Sequence, residues 1–421
     1  MIGHGPAALA DDFPMDVQWG GHLRAVGTET FINDQSIYQY ADTGIYHDGQ
    51  GELRLKNQVF IGSQWSLETH YEFVAAGGDT RSNNNALRRE LPEPLAAAFT
   101  SSDILTDDHR FLSLTRILVS EEDYVAYHRL DRFNLTYSPS WGSFCIGRQA
   151  LTWGNGMIFN PMDLFNPFPP TAVQRDYKVG DDMILAQVFL GLDDAQMLYV
   201  PRRDTADGEV KDSQSSYAGK IQLSLNAVNM SFMAARHYDD DILGWGATGD
   251  LGDAAWRLNA VYTAVGEDYR QENFIQAVAN LDYAWQWGGK NVYGLVEFFY
   301  NGLGRSGDYA RALESAYVSS RLSRGDLYAL GRYYLAGQLQ IELHPLVQNQ
   351  WTVILNLNDP SGLVQPQMSW NMTTDVDLII GAQWYWGATG TEYGGFYVSS
   401  PGRSFDVIPN NQVYLWLTYH F

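Results

Sequence analysis

Hydrophobic and polar residues take turns along much of this chain with a period of two. Across 65–75 the odd positions hold Trp65, Leu67, Thr69, Tyr71 and Phe73, and the even ones Ser66, Glu68, His70 and Glu72. Neighbouring side chains of an extended strand point to opposite faces, so this segment places all of its charge on one side. The same alternation sets His22 and Arg24 against Trp19, Leu23 and Ala25, and Glu52, Arg54 and Lys56 against Leu53 and Leu55. It returns where Arg257 opposes Trp256 and Leu258, and where Gln338, Gln340 and Glu342 alternate with Leu339, Ile341 and Leu343. Turn-forming runs such as Gly288-Gly289-Lys290-Asn291 and Asp359-Pro360-Ser361-Gly362 separate the segments. Helical spacing is nearly confined to 85–101 and 309–319.

The length of these segments decides what kind of sheet they build. Strands of soluble sandwiches run ~5–6 residues, whereas many here reach the ~9–11 that cross a bilayer at a tilt. No window holds the ~18 continuous apolar residues of a membrane-spanning helix. In hydrocarbon every backbone N–H and C=O needs a partner, and without helices only a closed sheet supplies them all. The pattern therefore predicts an all-β fold, a transmembrane antiparallel up-and-down β-barrel. It has roughly 16–20 strands, best 18, because a single-chain bacterial barrel takes an even number. Residues 11–421 form that one domain. Walking up and down from the N-terminus keeps short turns on one side until about residue 150, after which the sides exchange. Either a strand is hidden within 76–108 or a long loop returns to its own side.

Composition agrees. The chain has 26 Tyr, 19 Phe and 13 Trp, yet its mean hydropathy is only -0.26. A sheet that is apolar on one face reconciles the two, and Trp and Tyr also favour the membrane–water boundary. A net charge of -22 argues against a nucleic-acid partner, which needs a basic surface. With Cys145 alone there is no internal disulfide and no CxxCH site for covalent haem, and no cofactor is implied. GxSxG, HExxH, P-loop and dinucleotide motifs are absent, so no enzymatic activity is expected. Residues 1–10 end in Ala8-Leu9-Ala10 before Asp11, the A-x-A pattern of a signal-peptide remnant.

The last strand alternates through Val413, Leu415, Leu417 and Tyr419 to a terminal Phe421. It resembles the C-terminal signature of Gram-negative outer-membrane barrels. That resemblance implies outer-membrane lipid and the barrel-assembly machinery as partners, with Tyr419 and Phe421 as the assembly signal. A second element, Gly147-Arg148-Gln149 through Trp153-Gly154-Asn155-Gly156 to Asn160-Pro161-Met162-Asp163 and Asn166-Pro167, is similar to one in several porin-like families. These include barrels of the alginate-export kind and barrels proposed to sheathe electron-transfer cytochromes.

The polar members of the alternation, His22, Arg24, Glu52, Arg54, Lys56, Glu68, His70, Glu72, Arg257, Gln340 and Glu342, are the candidate pore lining. The proline-rich segment 153–182 cannot belong to the ladder, because proline lacks the donor that a central strand needs. Phe159, Phe165 and Phe168 give it an apolar side. Folded inward, it would bring Asp163, Arg175, Asp176, Lys178, Asp181 and Asp182 to a constriction; facing outward, it would cap the barrel. His237-Tyr238-Asp239-Asp240-Asp241 is either an acidic solvated loop tip or an oxygen site for a divalent cation. Three functions compete: a channel for small solutes or ions, a sleeve around a periplasmic multihaem cytochrome, and an export pore for acidic polysaccharide. A mixed-charge lining ranks the third last, and assembly as a homo-oligomer stays open.

Overall fold

The computed structural model describes residues 14–39, 44–90, 106–167, 169–170, 177–267, 269–400 and 403–421, so residues 1–10, expected to be a signal remnant, lie outside the described residues. The wall opens with β1 (Met15–Phe31), β2 (Ile45–Ile61) and β3 (Trp65–Gly78). It passes the short β4 (Thr115–Ser120) to β5 (Tyr124–Tyr137), β6 (Gly142–Gln149), β7 (Asp181–Leu190), β8 (Asp193–Val200) and β9 (Ser216–Leu225). It continues through β10 (Val228–His237), β11 (Asp240–Leu251), β12 (Ala254–Ala264), β13 (Phe274–Trp287), β14 (Lys290–Asn301) and β15 (Tyr333–His344). The circuit ends with β16 (Val347–Asn356), β17 (Ser361–Asn371), β18 (Val376–Trp386) and β21 (Asn411–His420), while β19 (Phe396–Ser400) and β20 (Arg403–Val407) form a separate hairpin. β21 pairs with β1, His420 opposite His22 and Asn411 opposite Phe31. That seam closes an 18-stranded antiparallel up-and-down barrel, the predicted fold and strand number.

Alternation becomes sidedness. Trp19, Leu23, Leu243, Leu281, Leu415 and Leu417 are exposed on the outside, while their neighbours His22, Arg24, Ile242, Asn280, Tyr414 and Trp416 are buried on the inside. Exposed Trp65, Trp141, Trp285, Trp287 and Trp370 ring one end, and Tyr124, Tyr217, Tyr262, Tyr333 and Trp384 ring the other. Two aromatic girdles around an apolar belt are what two bilayer interfaces select.

The two ends differ. Connections at 62–64, 138–141, 191–192, 226–227, 252–253, 288–289, 345–346 and 372–375 are tight turns at the end that also carries Met15 and Phe421. In the Gly288-Gly289 turn both residues have positive φ, 57° and 74°, as a two-residue hairpin compatible with strand twist requires. Longer connections gather at the opposite end. The sides therefore never exchange: 150–180 leaves and re-enters the wall at the same end, and Asp181 and Asp182 are already the first residues of β7.

Behind that loop the wall is patched. β6 pairs with β5 only at Phe133–Tyr137, and β4 fills the other half of the seam by pairing with 125–129. Arg110 bridges to Arg202 beside it. β4 thus repairs the wall without being a further crossing strand. Helices stand at Asp79–Glu90, Tyr309–Leu313 and Ala316–Arg324. The first starts earlier than the predicted 85–101, of which 91–101 lies outside the described residues.

The acidic run at 237–241 is only in part the solvated loop tip of the first reading: Asp241 is exposed, whereas His237 and Asp240 turn inward. It is a two-residue hairpin at the loop end, with Tyr238 at a φ of 53°. His237 and Asp240 are buried, and Asp240 accepts hydrogen bonds from the Tyr317 hydroxyl at 2.6 Å and the Gly266 N–H at 3.0 Å. Asp240 braces the neighbouring loop, neither free for a cation nor solvated, and no metal-ligating cluster of His, Cys, Asp or Glu occurs among the described residues.

Candidate functional site

The loop 150–180 lies across the lumen in its described parts, residues 150–167 and 177–180 among them. Its outgoing limb lays Trp153, Met162, Leu164 and Phe165 against an inner face that is itself apolar, built of Met183, Leu198, Val200, Ala218, Met233, Ala235, Ile242 and Val261 from β7–β12. The Trp153 indole N–H also donates to Gln196 at 2.7 Å. At its tip the loop reaches β14, where the carboxylate of Glu297 accepts the backbone N–H groups of Met157, Ile158 and Phe159 at 2.8, 3.1 and 2.6 Å. Asn280 Nδ2 adds a fourth donor at 3.0 Å. Glu297 is fully buried, so these charge-assisted bonds supply what water would otherwise give. The Phe159 ring stacks on Phe299 at 4.6 Å and tilts against Tyr334.

The returning limb meets the other side of the barrel. Tyr177 lies over the Arg54 guanidinium at 3.9 Å, Arg132 donates to the Lys178 carbonyl at 2.6 Å, and the Gly180 N–H donates to Asp131 at 3.1 Å. Lys178 Nζ pairs with Asp163 and donates to the Leu151 carbonyl at 2.5 Å, tying the two limbs together. Burial pushes the Asp163 carboxyl up to about 6 against the pull of the Lys178 ammonium, and burial likewise lowers Lys178.

Where Tyr177 lands, β1–β3 and β5–β6 carry an ion-pair ladder. Glu52 binds His22 at 2.9 Å and Arg24 at 2.8 Å. Glu72 pairs with Arg54 and, at 2.5 Å, with Arg129. Asp131 takes Arg54 at 2.7 Å and Arg132 at 2.5 Å. Arg148 joins Asp182 at 2.8 Å and Asp107 at 2.9 Å, and Arg202 joins Asp181 at 2.7 Å. Asp107 sits outside the strands; burial works to raise its carboxyl, yet the guanidinia of Arg148 and Arg110 hold it below its ordinary value.

The candidate pore-lining residues fall into three places. His22, Arg24, Glu52, Arg54 and Glu72 converge in this ladder, with His70 beside it, 3.1 Å from Arg54. Glu68 accepts from Asn134 at 2.8 Å, and Lys56 is exposed nearer the short turns. Arg257 stands elsewhere, on β12, paired with Asp282. Gln340 and Glu342 line β15, Glu342 accepting from Asn291 at 2.9 Å. Of the constriction candidates, Asp163 and Lys178 tie the loop, and Asp181 and Asp182 are consumed in wall ion pairs. Arg175, Asp176 and Phe168 lie outside the described residues. Sequence reasoning missed Glu297, Arg129, Asp131, Arg132, Arg148 and Arg202. A bulge opposite His70 and Tyr71 turns Asp131 and Arg132 inward together, which strict alternation does not anticipate.

Ser216, His237 and Asp326 follow one another as in a serine hydrolase, with Ser216 Oγ 2.8 Å from His237 Nδ1. The arrangement is a brace. Ser216 is fully buried and accepts from Arg202 at 2.6 Å, and His237 Nε2 stands 3.7 Å from Asp326, beyond hydrogen-bond length.

No protein-family model matches the chain, and no curated protein matches its sequence. Its fold is matched among solved structures. Pseudomonas aeruginosa OccK2 (OpdF), solved in complex with glucuronate, aligns over 96% of this chain and 98% of its own at a TM-score of 0.53 and 9% identity. Acinetobacter baumannii OccAB1 aligns over 98% of both chains at 0.52 and 11%. Wzi of Escherichia coli, an outer-membrane carbohydrate-binding β-barrel involved in capsule assembly, aligns over 94% of this chain and 83% of its own at 0.51 and 10%. A chain that closes its sheet strand by strand, turns apolar side chains and two aromatic girdles outward, and aligns along nearly its whole length with such barrels has the fold of a porin-like outer-membrane β-barrel.

Proposed function

We propose that the protein is a solute-selective channel whose passage is narrowed by loop 150–180 and the ion-pair ladder it rests on. The observation that carries this reading is the Glu297 anchor: a loop rooted between β6 and β7 and pinned by three N–H bonds to β14 spans the bore. The same observation weighs against a cytochrome sleeve, because the chain's own loop takes the space a partner would need. Export of an acidic polysaccharide is disfavoured as well, since the ladder's guanidinia are already neutralised by carboxylates. The folded protein in planar bilayers is expected to give discrete conductance steps and to be colourless. Haem absorbance or co-purification of a cytochrome, with no steps, overturns the channel in favour of the sleeve.

We also propose that Tyr419 and Phe421 direct assembly. Both are exposed on the outer face, and Phe421 exchanges backbone hydrogen bonds with Gly21 at 2.8 and 3.1 Å, so the final residue extends the closing seam. Deleting Phe421 should cut the folded fraction severalfold, read as heat-modifiable gel mobility of membrane-extracted protein. An undiminished folded fraction removes the residue from any assembly role.

A further inference from the structure

Below the crossing loop, toward the short turns, one sector of the lumen is lined by uncharged amides. The register places Tyr293, Gln340, Gln350, Gln367, Gly381 and Tyr414 side by side across β14–β18 and β21. Gln338, Thr352 and Gln365 form the next row toward the loop, directly beneath the layer of Ala336, Ile354 and Leu363 that packs with Phe159. Inner-face groups therefore repeat at about 4.8 Å between strands and about 6.8 Å along them. An aromatic stands at each end of the first row. Gly381 makes room for one of them, because a Cβ there would lie 2.3 Å from Cζ of Tyr414. The Tyr414 hydroxyl then donates to Gln367 at 3.1 Å.

Two features of this field point to a ligand. Gln340 and Gln350, opposite one another and half-buried on the lumen, make no side-chain hydrogen bond to any described residue, so both amides offer donors and acceptors. Neither row contains a charged side chain, whereas the ladder on the adjoining wall, which begins at β1 beside β21, concentrates cations and anions in mutual pairs. A primary amide matches a hydroxyl, which likewise both donates and accepts. An ionic solute would meet amide dipoles but no opposite charge in these rows to offset its lost hydration.

We propose that this sector binds neutral polyhydroxylated solutes, an extended oligosaccharide above all, hydroxyls on the glutamine rows and sugar faces on the flanking tyrosines. The assignment rests on the channel reading and names its solute class. Maltotriose, trigalacturonate and trilysine are titrated calorimetrically into the folded full chain in detergent, and each is applied to the single channel in a bilayer. Maltotriose is expected to bind and to block current, with both charged trimers at least about tenfold weaker. Gln340→Ala and Gln350→Ala should each weaken maltotriose by roughly fivefold, as loss of one hydrogen bond does. Gln350→Ser serves if an alanine variant loses heat-modifiable mobility. Conductance without maltotriose binding or block overturns the inference and leaves the channel standing. Equal binding of trigalacturonate, or wild-type binding by the glutamine variants, overturns it too. Glutamine-dependent binding with no conductance upholds the saccharide site and overturns the channel.

Discussion

Glu297→Ala will raise the single-channel conductance severalfold and add rapid flicker between levels. The substitution leaves Met157, Ile158 and Phe159 N–H and the Asn280 amide without their acceptor. Each buried donor left unpaired costs about 1–3 kcal/mol, so water must enter or the tip must leave β14. Stacking of Phe159 on Phe299 resists departure, but one stacked pair contributes only about 0.5–1.5 kcal/mol beyond its buried area. The balance favours a tip that swings free while Trp153, Met162 and Phe165 keep the outgoing limb on β7–β12. Glu297→Gln, which keeps one carbonyl oxygen, should fall between wild type and alanine. Limited proteolysis gives a second reading, with new cleavage near 157–159 only in the variants. Wild-type conductance and noise from a correctly folded Glu297→Ala barrel would remove the loop from control of the passage.

The barrel was legible because hydrocarbon outside and a wet lumen inside write a two-residue period, plain in β1–β3, where Leu23 faces out and Arg24 in. The period fades in β7–β12 for a physical reason. There the inner face meets the apolar limb of the loop, so Met183, Leu198 and Ile242 are as hydrophobic inside as Ile184, Met197 and Leu243 are outside. Prolines identified 153–182 as non-ladder, which holds up to residue 180 because Asp181 and Asp182 open β7, but nothing local names its partner. Glu297 is a single carboxylate on an otherwise apolar strand stretch, separated from the groups it binds by about 140 residues of chain. The ladder was half legible. Residues of β1–β3 alternate faithfully, whereas Asp131 and Arg132 share a face through a bulge, and Asp107 reaches Arg148 from the segment that patches the wall.

The ladder supports the second large prediction, because its charges differ in how they can be relieved. Glu72 is fully buried between Arg54 and Arg129. A buried carboxylate that loses its partner can take up a proton; a guanidinium cannot shed one at any pH the protein survives. Glu72→Ala therefore leaves Arg54 and Arg129 to share Asp131 with Arg132, which already holds it at 2.5 Å; Asp131 lies 2.7 Å from Arg54 but 3.8 Å from Arg129. Breaking a buried pair on one side costs about 3–5 kcal/mol. The folded barrel should accordingly convert to the unfolded gel mobility at a markedly lower temperature than wild type. The deficit should shrink in sulfate or chloride at high concentration, because an anion recruited to Arg129 replaces the missing carboxylate. Adding Arg129→Met to Glu72→Ala removes a stranded charge and should recover much of the loss. In bilayers Glu72→Ala should shift reversal potentials toward anions, since net positive charge has been added beside Tyr177 at the narrowed passage. A variant as heat-resistant as wild type, with unchanged ion preference, would mean that water reaches this cluster freely and that the ladder is not the buried network its geometry describes.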